Sequence, residues 1–242
     1  CTERLQMRTS WSRGRWVAGL IVAVSLVVSA GCGGSDSDSD SASTTTGDAT
    51  TGETSTARTD VSNRATELAL LLPAEDAIGE LGEGNLTELG TADALVDELY
   101  AEGDPVRDTA VERLERGGYD LGVLRDQIRV GSADGPQLVR SYVVGFATPE
   151  AAQAEVSESI TEVKRSSSVP STDVPVPGIP GAEAISLEVS GGAGSSGEVF
   201  FATFSAGRFL FGLQVFGETN GAVDQADALV AAQEAYEGAP SS

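Results

Sequence analysis

The chain of 242 residues has no histidine, and its only cysteines are Cys1 and Cys32. The lack of histidine excludes histidine-based catalytic triads, histidine metal sites and the usual general base near neutral pH. Because no cysteine follows Cys32, the rest of the chain has neither a thiolate site nor an internal disulfide. Lys164 is the single lysine, and a place in the last turn of a predicted helix accounts for it without a Schiff-base role.

Basic residues are scarce throughout. The chain has 15 Lys and Arg against 37 Asp and Glu, a formal net charge of -22, and residues 61–242 hold 10 against 30. Binding to a phosphate backbone depends on Lys and Arg, so nucleic acid is excluded as a partner. Anionic head groups also repel such a domain, so attachment to a membrane requires a covalent lipid.

The first 32 residues resemble a bacterial lipoprotein signal. Arg13 and Arg15 precede an apolar stretch, residues 16–30, which leads through Gly31 to Cys32. The stretch is short of the roughly 20 residues that a spanning helix needs. We expect residues 1–31 to be a signal peptide with its true start at Met7. Alternatives are a conventional secretory signal cut nearby and a short anchor helix that stays uncleaved.

Cys32 is then the residue whose thiol receives the lipid, such as palmitate, on the extracytoplasmic face of the cell membrane. Residues 33–60 are almost entirely Gly, Ser, Thr, Asp and Ala, a composition that cannot bury enough apolar surface to offset the entropy of ordering. The sequence therefore predicts a lipidated cysteine and a disordered tether over 32–60. Its end-to-end distance would be roughly 30 Å.

Residues 61–242 are long enough to fold as one extracytoplasmic domain without disulfides. Hydrophobic periodicity and turn residues predict an α+β fold with one mainly antiparallel sheet of about five strands flanked by helices. The predicted helices are 64–72, 105–116, 149–165 and 223–236, with a small helical or irregular region through 91–100. The predicted strands are 126–130, 137–146, 184–189, 198–204 and 209–216.

Two of these segments carry the strongest patterns. Thr148-Pro149-Glu150 is typical of a helix start, and Ala152, Val156, Ile160 and Val163 follow at helical spacing. In the last predicted strand, residues 209, 211, 213 and 215 share one apolar face while Leu210 and Phe216 lie on the other. Apolar residues on both faces indicate a central strand that is covered on both sides.

The chain contains few groups that suggest catalysis. Gly192–Gly197 fits G-x-G-x-x-G, but a strand follows it, so no helix N-terminus is available for a pyrophosphate. A carboxylate pair, for example Glu75 with Asp76 or either with Asp120, is an arrangement compatible with glycoside hydrolysis. Chance pairing among 37 acids is the simpler interpretation.

Two segments suggest binding instead. Four prolines hold the 169–182 loop near polyproline geometry, which suits docking of a partner, although a rigid crossover joining helix to sheet is the simpler interpretation. These prolines are Pro170, Pro175, Pro177 and Pro180. A set of phenylalanines predicts core packing and, as an alternative, a cavity for an apolar ligand between sheet and helix. They are Phe200, Phe201, Phe204, Phe209, Phe211 and Phe216.

Three phrases, Leu70–Asp76, Phe146–Ala152 and Pro175–Ala182, resemble segments of actinobacterial lipoproteins. They also resemble the extracytoplasmic sensor-like domains related to those of mycobacterial receptor kinases. The resemblance implies a surface-exposed binding or sensing domain, and it assigns no functional residue.

Together these features predict a lipoprotein of the cell envelope, anchored through Cys32. Its domain is expected to be non-catalytic, without cofactor or metal, and to bind an envelope component, a lipid or a protein partner. The alternatives are a carboxylate-dependent hydrolase of cell-wall glycan and a structural envelope spacer.

Overall fold

Alternating apolar strands and amphipathic helices assemble one antiparallel sheet with helices on both faces. The protein is described by a computed structural model covering residues 63–79, 81–129, 136–167, 169–190, 196–218 and 225–240. The predicted signal peptide (1–31), Cys32 and the tether (32–60) lie outside these residues, as does most of Gly192–Gly197. None of the helices in the described ranges combines the length and apolarity that crossing a membrane requires.

Helices and strands follow one another in this order: α1 (63–69), β1 (Asn85–Leu89), α2 (Ala92–Leu99), α3 (Arg107–Arg116), β2 (Leu121–Ile128), β3 (Pro136–Gly145), α4 (Pro149–Ser166), β4 (Ser171–Asp173), β5 (Glu183–Ser190), β6 (Ser196–Ala206), β7 (Phe209–Glu218) and α5 (Gln225–Gly238). The sheet order is β1-β2-β3-β7-β6-β5-β4, and every neighbouring pair is antiparallel. Helix α4 carries the chain from the interior strand β3 to the edge strand β4.

The predicted mixed fold with one antiparallel sheet flanked by helices is confirmed, but the expected number of strands, about five, was wrong. Seven strands form the sheet. The two that were missed, β1 and β4, are its edges, and they have five and three residues. Edge strands are solvated on one side and short, so they lack the apolar runs by which buried strands are recognised.

Each face of the sheet has its own core. Helices α1 and α5 cover one face. The buried residues of α5 are all alanines: Ala228, Ala231, Ala232 and Ala235. Helices α2, α3 and α4 cover the opposite face. Strand β7 lies between β3 and β6 and packs Phe211 into the first core and Leu210 into the second. This confirms the prediction of a central strand covered on both sides.

The helix predicted after Thr148 is also confirmed. The Thr148 hydroxyl accepts a hydrogen bond from the Ala151 amide at 3.2 Å, Pro149 opens α4, and the helix ends at Ser166. The start of α3 was predicted too early. Asp104 accepts from the Val106 amide at 3.0 Å within a turn, and the helix begins only at Arg107.

Gly212 in β7 is required by an aromatic ring on the neighbouring strand. It lies directly opposite Tyr142 of β3, and a Cβ at position 212 would be 2.0 Å from Tyr142 Cζ. The buried Tyr142 side chain therefore lies across the backbone of β7, where only hydrogen leaves room for it.

We predict that Gly212→Ala lowers the free energy of unfolding by about 3 kcal/mol, because the added methyl overpacks the core against Tyr142. Gly90→Ala is the matched control, since a Cβ there meets nothing within 4 Å, and it should change stability by less than about 0.5 kcal/mol. Urea unfolding followed by circular dichroism measures both. In a Tyr142→Leu background the cost of Gly212→Ala should largely disappear. An unchanged midpoint for Gly212→Ala alone would contradict this account.

Candidate functional site

The two buried carboxylates among the described residues, Glu155 and Glu162 of α4, are bound from α3. Arg113 of α3 donates from Nε and Nη2 to the two carboxylate oxygens of Glu155, at 2.8 and 2.7 Å. It also donates from Nη1 and Nη2 to Glu162, which lies two helical turns after Glu155 in α4. The bond from Nη2 is 3.0 Å long. One guanidinium thus binds both carboxylates in a forked geometry that lysine could not reproduce.

Tyr100, which follows α2, completes this group. Its hydroxyl donates to Glu162 Oε2 at 2.5 Å. We call Arg113, Glu155, Glu162 and Tyr100 the Arg113 cluster. The side chains of Arg113, Glu155 and Glu162 are only 17%, 7% and 2% exposed, so the cluster fastens α2, α3 and α4 together beneath the surface.

Burial shifts the protonation of the Arg113 cluster. It raises the pKa of the Glu155 carboxyl, and the hydrogen bonds from Arg113 oppose that rise. Burial disfavours the charged guanidinium of Arg113, but the bonds to Glu155 and Glu162 outweigh it and raise its pKa. For Tyr100, burial and then the Glu162 charge raise the pKa of the hydroxyl well above its usual value.

The two carboxylates are close enough to resemble a hydrolytic pair. Their oxygens bonded to Arg113 Nη2, at 2.7 and 3.0 Å, are at most 5.7 Å apart because the two bonds share one nitrogen. Retaining glycosidases space their carboxylates similarly. Here, however, both carboxylates are hydrogen-bonded to Arg113. The adjoining cavity of about 30 Å³ has room for about one water molecule. A sugar ring does not fit.

A second charged site lies at the end of the sheet where β2 and β7 begin and β3 ends. Asp120 accepts hydrogen bonds from Arg64 of α1 and, at 3.3 Å, from Nη1 of Arg208 in the β6–β7 turn. The same Arg208 nitrogen donates to the Phe146 carbonyl at 3.0 Å, and the guanidinium lies 5.0 Å from the Phe209 ring centroid. Asp120 therefore holds two arginines side by side.

These residues line an open groove of about 160 Å³, which we call the Asp120 groove. Its charged lining is Arg64, Glu67, Asp120 and Arg208. Its apolar walls are Leu68, Leu71, Phe209 and Pro240, and Gly145 lies between them without a side chain. The groove combines two cationic donors with an apolar surface, the usual composition of a small-molecule site.

One of the carboxylate pairs considered, Glu75 with Asp120, is not brought together by the fold. The Glu75 carbonyl accepts from Gln127 at 2.8 Å, near the end of β2, whereas Asp120 precedes the first residue of that strand. At about 3.3 Å per residue these positions are roughly 20 Å apart, so Glu75 and Asp120 do not form a pair. The carboxylates that do converge, Glu155 and Glu162, were not anticipated. Among the described residues no group of three acidic side chains is arranged to hold a metal ion.

The 169–182 loop is held to the core by its apolar side chains. Pro170, Pro175, Pro177 and Pro180 are all exposed, while Val174 and Val176 are half-buried and Ile179 is buried in the core. Residues 171–173 form β4 and pair with β5, so part of the loop belongs to the sheet. The crossover interpretation accounts for this packing, and the exposed prolines stay a candidate docking surface.

The phenylalanines are mainly core residues, as expected. Phe200, Phe201, Phe204 and Phe211 are buried, and the rings of Phe204 and Phe211 stack with centroids 4.8 Å apart. Phe201 lines the small cavity beside the Arg113 cluster, and Phe209 lines the Asp120 groove. An apolar ligand would therefore find room beside Phe209 and not beside Phe201.

Comparison with known proteins gives little guidance. No protein-family model matches the chain, and no curated protein matches it in sequence. Among solved structures, the chain is similar to the extracellular domain of PknH from Mycobacterium tuberculosis, at 16% identity over 72% of this chain and 94% of that one, with a TM-score of 0.46. A likeness this low does not bear on function.

We predict that Arg113→Met lowers the free energy of unfolding by about 3 kcal/mol at neutral pH, because it leaves two buried carboxylates without their cation. The deficit should shrink as the pH falls toward about 4.5, because burial raises the pKa of the Glu155 carboxyl and Arg113 no longer opposes its protonation. Lys164→Met is the control: it removes a pair with the exposed Asp173 and should cost less than about 1 kcal/mol. Equal losses in the two variants, or a deficit independent of pH, would refute the role given to the Arg113 cluster.

The raised pKa values of three tyrosines lead us to predict that the protein unfolds at alkaline pH. Burial raises the pKa of Tyr100, Tyr119 and Tyr142 above the ordinary value of 10.0. The unfolded chain loses these protons above pH 10 while the folded protein keeps them, so stability present below pH 10 is lost as the pH rises. Three such groups lower the free energy of unfolding by up to about 4 kcal/mol per pH unit.

An alkaline titration that follows tyrosinate absorption and circular dichroism together tests this prediction. Most of the tyrosinate signal should appear only as the protein unfolds, and Tyr142→Phe should reduce the slope of stability against pH by about one third. Full tyrosinate formation near pH 10 in a protein that remains folded would disprove it.

Proposed function

We propose that this protein is a lipoprotein anchored through Cys32 to the extracytoplasmic face of the membrane, and that residues 61–242 form a non-catalytic binding domain. Support for the anchor comes from the sequence. Arg13 and Arg15, the short apolar stretch and Gly31-Cys32 follow the order of a lipoprotein signal. The large excess of acidic residues disfavours attachment to anionic head groups without a covalent lipid.

The observation that carries the binding proposal is the contrast between the two charged sites. In the Arg113 cluster the carboxylates are bonded to Arg113 and Tyr100 and adjoin a cavity of about 30 Å³. In the Asp120 groove, two arginines border an open space of about 160 Å³ with apolar walls. A paired and enclosed acid cluster favours structure over hydrolysis, and an open amphipathic groove favours binding.

The exposed prolines of the 169–182 loop are a second contact surface under this proposal. Val174, Val176 and Ile179 fix the loop to the core, so a partner protein would meet a surface that is already ordered. Little conformational entropy would then be lost on docking.

Cys32→Ser is predicted to move the protein from the membrane fraction to the soluble extracytoplasmic fraction, because the serine hydroxyl cannot form the thioether to lipid. Ser39→Ala, a similarly small change in the tether that follows Cys32, should leave the protein in the membrane. Cell fractionation with immunoblotting measures both, and mass spectrometry of the membrane-extracted protein detects the lipid. Retention of Cys32→Ser in the membrane would contradict the anchor.

Native mass spectrometry of the mature Cys32→Ser chain tests the binding half of the proposal. A reproducible adduct on the gently purified protein is expected. Turnover of a cell-wall glycan by the same protein, abolished by Glu155→Gln, would show instead that the domain is a hydrolase.

A further inference from the structure

The few basic side chains of the domain are distributed in a way that distinguishes the Asp120 groove from the other charged sites. Acids outnumber Lys and Arg by 30 to 10 in residues 61–242, so each cation is expected to meet one or more carboxylates. Arg107, Arg125, Arg140 and Lys164 each do so, and Arg113 binds two. Only at Asp120, among the described residues, do two cations share one carboxylate.

This arrangement leaves hydrogen-bond donors available. Arg208 uses Nη1 for both Asp120 and the Phe146 carbonyl, and Arg64 uses Nη2 for Asp120. Each guanidinium has five N–H donors, and the described residues supply no partner for the remaining nitrogens. Side-chain exposures of 46% for Arg64 and 42% for Arg208 leave these donors accessible from the groove.

The shape of the groove limits what can occupy it. An apolar cavity of about 150 Å³ is enough for benzene, and the Asp120 groove has about 160 Å³. Leu68, Leu71 and Phe209 supply apolar contact in the same groove as the arginines. Glu67 is the second acid of the lining and is exposed, which disfavours a ligand with two negative charges.

We infer that the Asp120 groove binds a small monocarboxylate with an apolar tail. Its carboxylate bonds to the free donors of Arg64 and Arg208, and its tail lies on Leu68, Leu71 and Phe209. Asp120 holds the two guanidinium groups together, since without it they would repel each other. The inference rests on the proposed binding function and names its ligand class and its place.

The test compares three six-carbon probes that differ only in their head group: hexanoate, hexanol and hexylammonium. Each is titrated into the mature Cys32→Ser chain at about 0.15 M salt, where the Debye length of about 8 Å screens the distant acids. Backbone amide shifts in nitrogen-correlated NMR spectra report both affinity and location. Hexanoate should bind in the millimolar range, at least fivefold more tightly than hexanol, and shift the amides of Gly145 and Phe209.

Six variants, including one replacement and one control, test the head-group and tail contacts. Arg64→Gln and Arg208→Gln should each weaken hexanoate binding about fivefold and leave hexanol binding unchanged, while Glu67→Gln should strengthen hexanoate binding. Gly145→Val fills the groove and should weaken both probes. A methyl at Gly145 has only ordinary contacts, 3.6 Å from Arg208 Nη1 and 3.7 Å from Phe209 Cε1, so Gly145→Ala tests the same obstruction if the valine variant fails to fold. Arg165→Gln, which removes an exposed charge elsewhere, should change nothing.

Equal binding of hexanoate and hexanol, preferential binding of hexylammonium, or no binding of any probe would each overturn the carboxylate site. These outcomes are distinct from failure of the proposed function. If the site is wrong but the domain still binds, native mass spectrometry would show an adduct that Gly145→Val and Arg208→Gln leave unaffected.

Discussion

The guanidinium of Arg113 is the constraint on which one whole layer of the structure depends. It binds Glu155 and Glu162 of α4 from a position on α3, and Tyr100 joins the same group from the end of α2. A buried ion pair of this kind adds little net stability compared with apolar packing, but breaking it is costly. The ion pair mainly fixes position. Because one guanidinium must bind two carboxylates at once, α4 packs against α3 in a single register, and this register places Val156 and Ile160 over the sheet.

The same constraint explains why the face beneath α4 is closed. The Arg113 cluster joins α2, α3 and α4 above the core that they share with this face of the sheet, so Glu155 and Glu162 have no substrate-sized space beside them. On the opposite face, the small alanines of α5 allow a close approach to the sheet. Open space is therefore left at the end of the sheet, where Asp120, Gly145 and Arg208 lie at strand termini and turns. Backbone geometry there is set by the strands while the side chains remain partly exposed, a common setting for binding residues.

The sequence allowed the fold to be predicted further than the candidate site. Segments with one dominant period, α4 and β7, were identified correctly because burial imposes that period directly. Strand β1, with the pattern Asn-Leu-Thr-Glu-Leu, is half solvated and gave no such signal. In α4, Glu155 and Glu162 flank the apolar stripe and resemble ordinary surface acids. Nothing local distinguishes them, since their burial depends on Arg113, which is 42 and 49 residues away in the chain.

The Asp120 groove is also formed by residues that are distant in the sequence, and a ligand bound there would connect separate elements of the fold. Its two arginines are 56 and 88 residues from Asp120, so only the folded sheet brings them together. Arg64 belongs to α1, the first described helix, which otherwise packs into the core of this face through Ala65 and Leu68. A ligand held by both arginines would link α1 to the β6–β7 turn. Occupancy of the groove would then stabilise the docking of the helix that follows the proposed tether, because any ligand that binds only the docked state adds its binding free energy to that state.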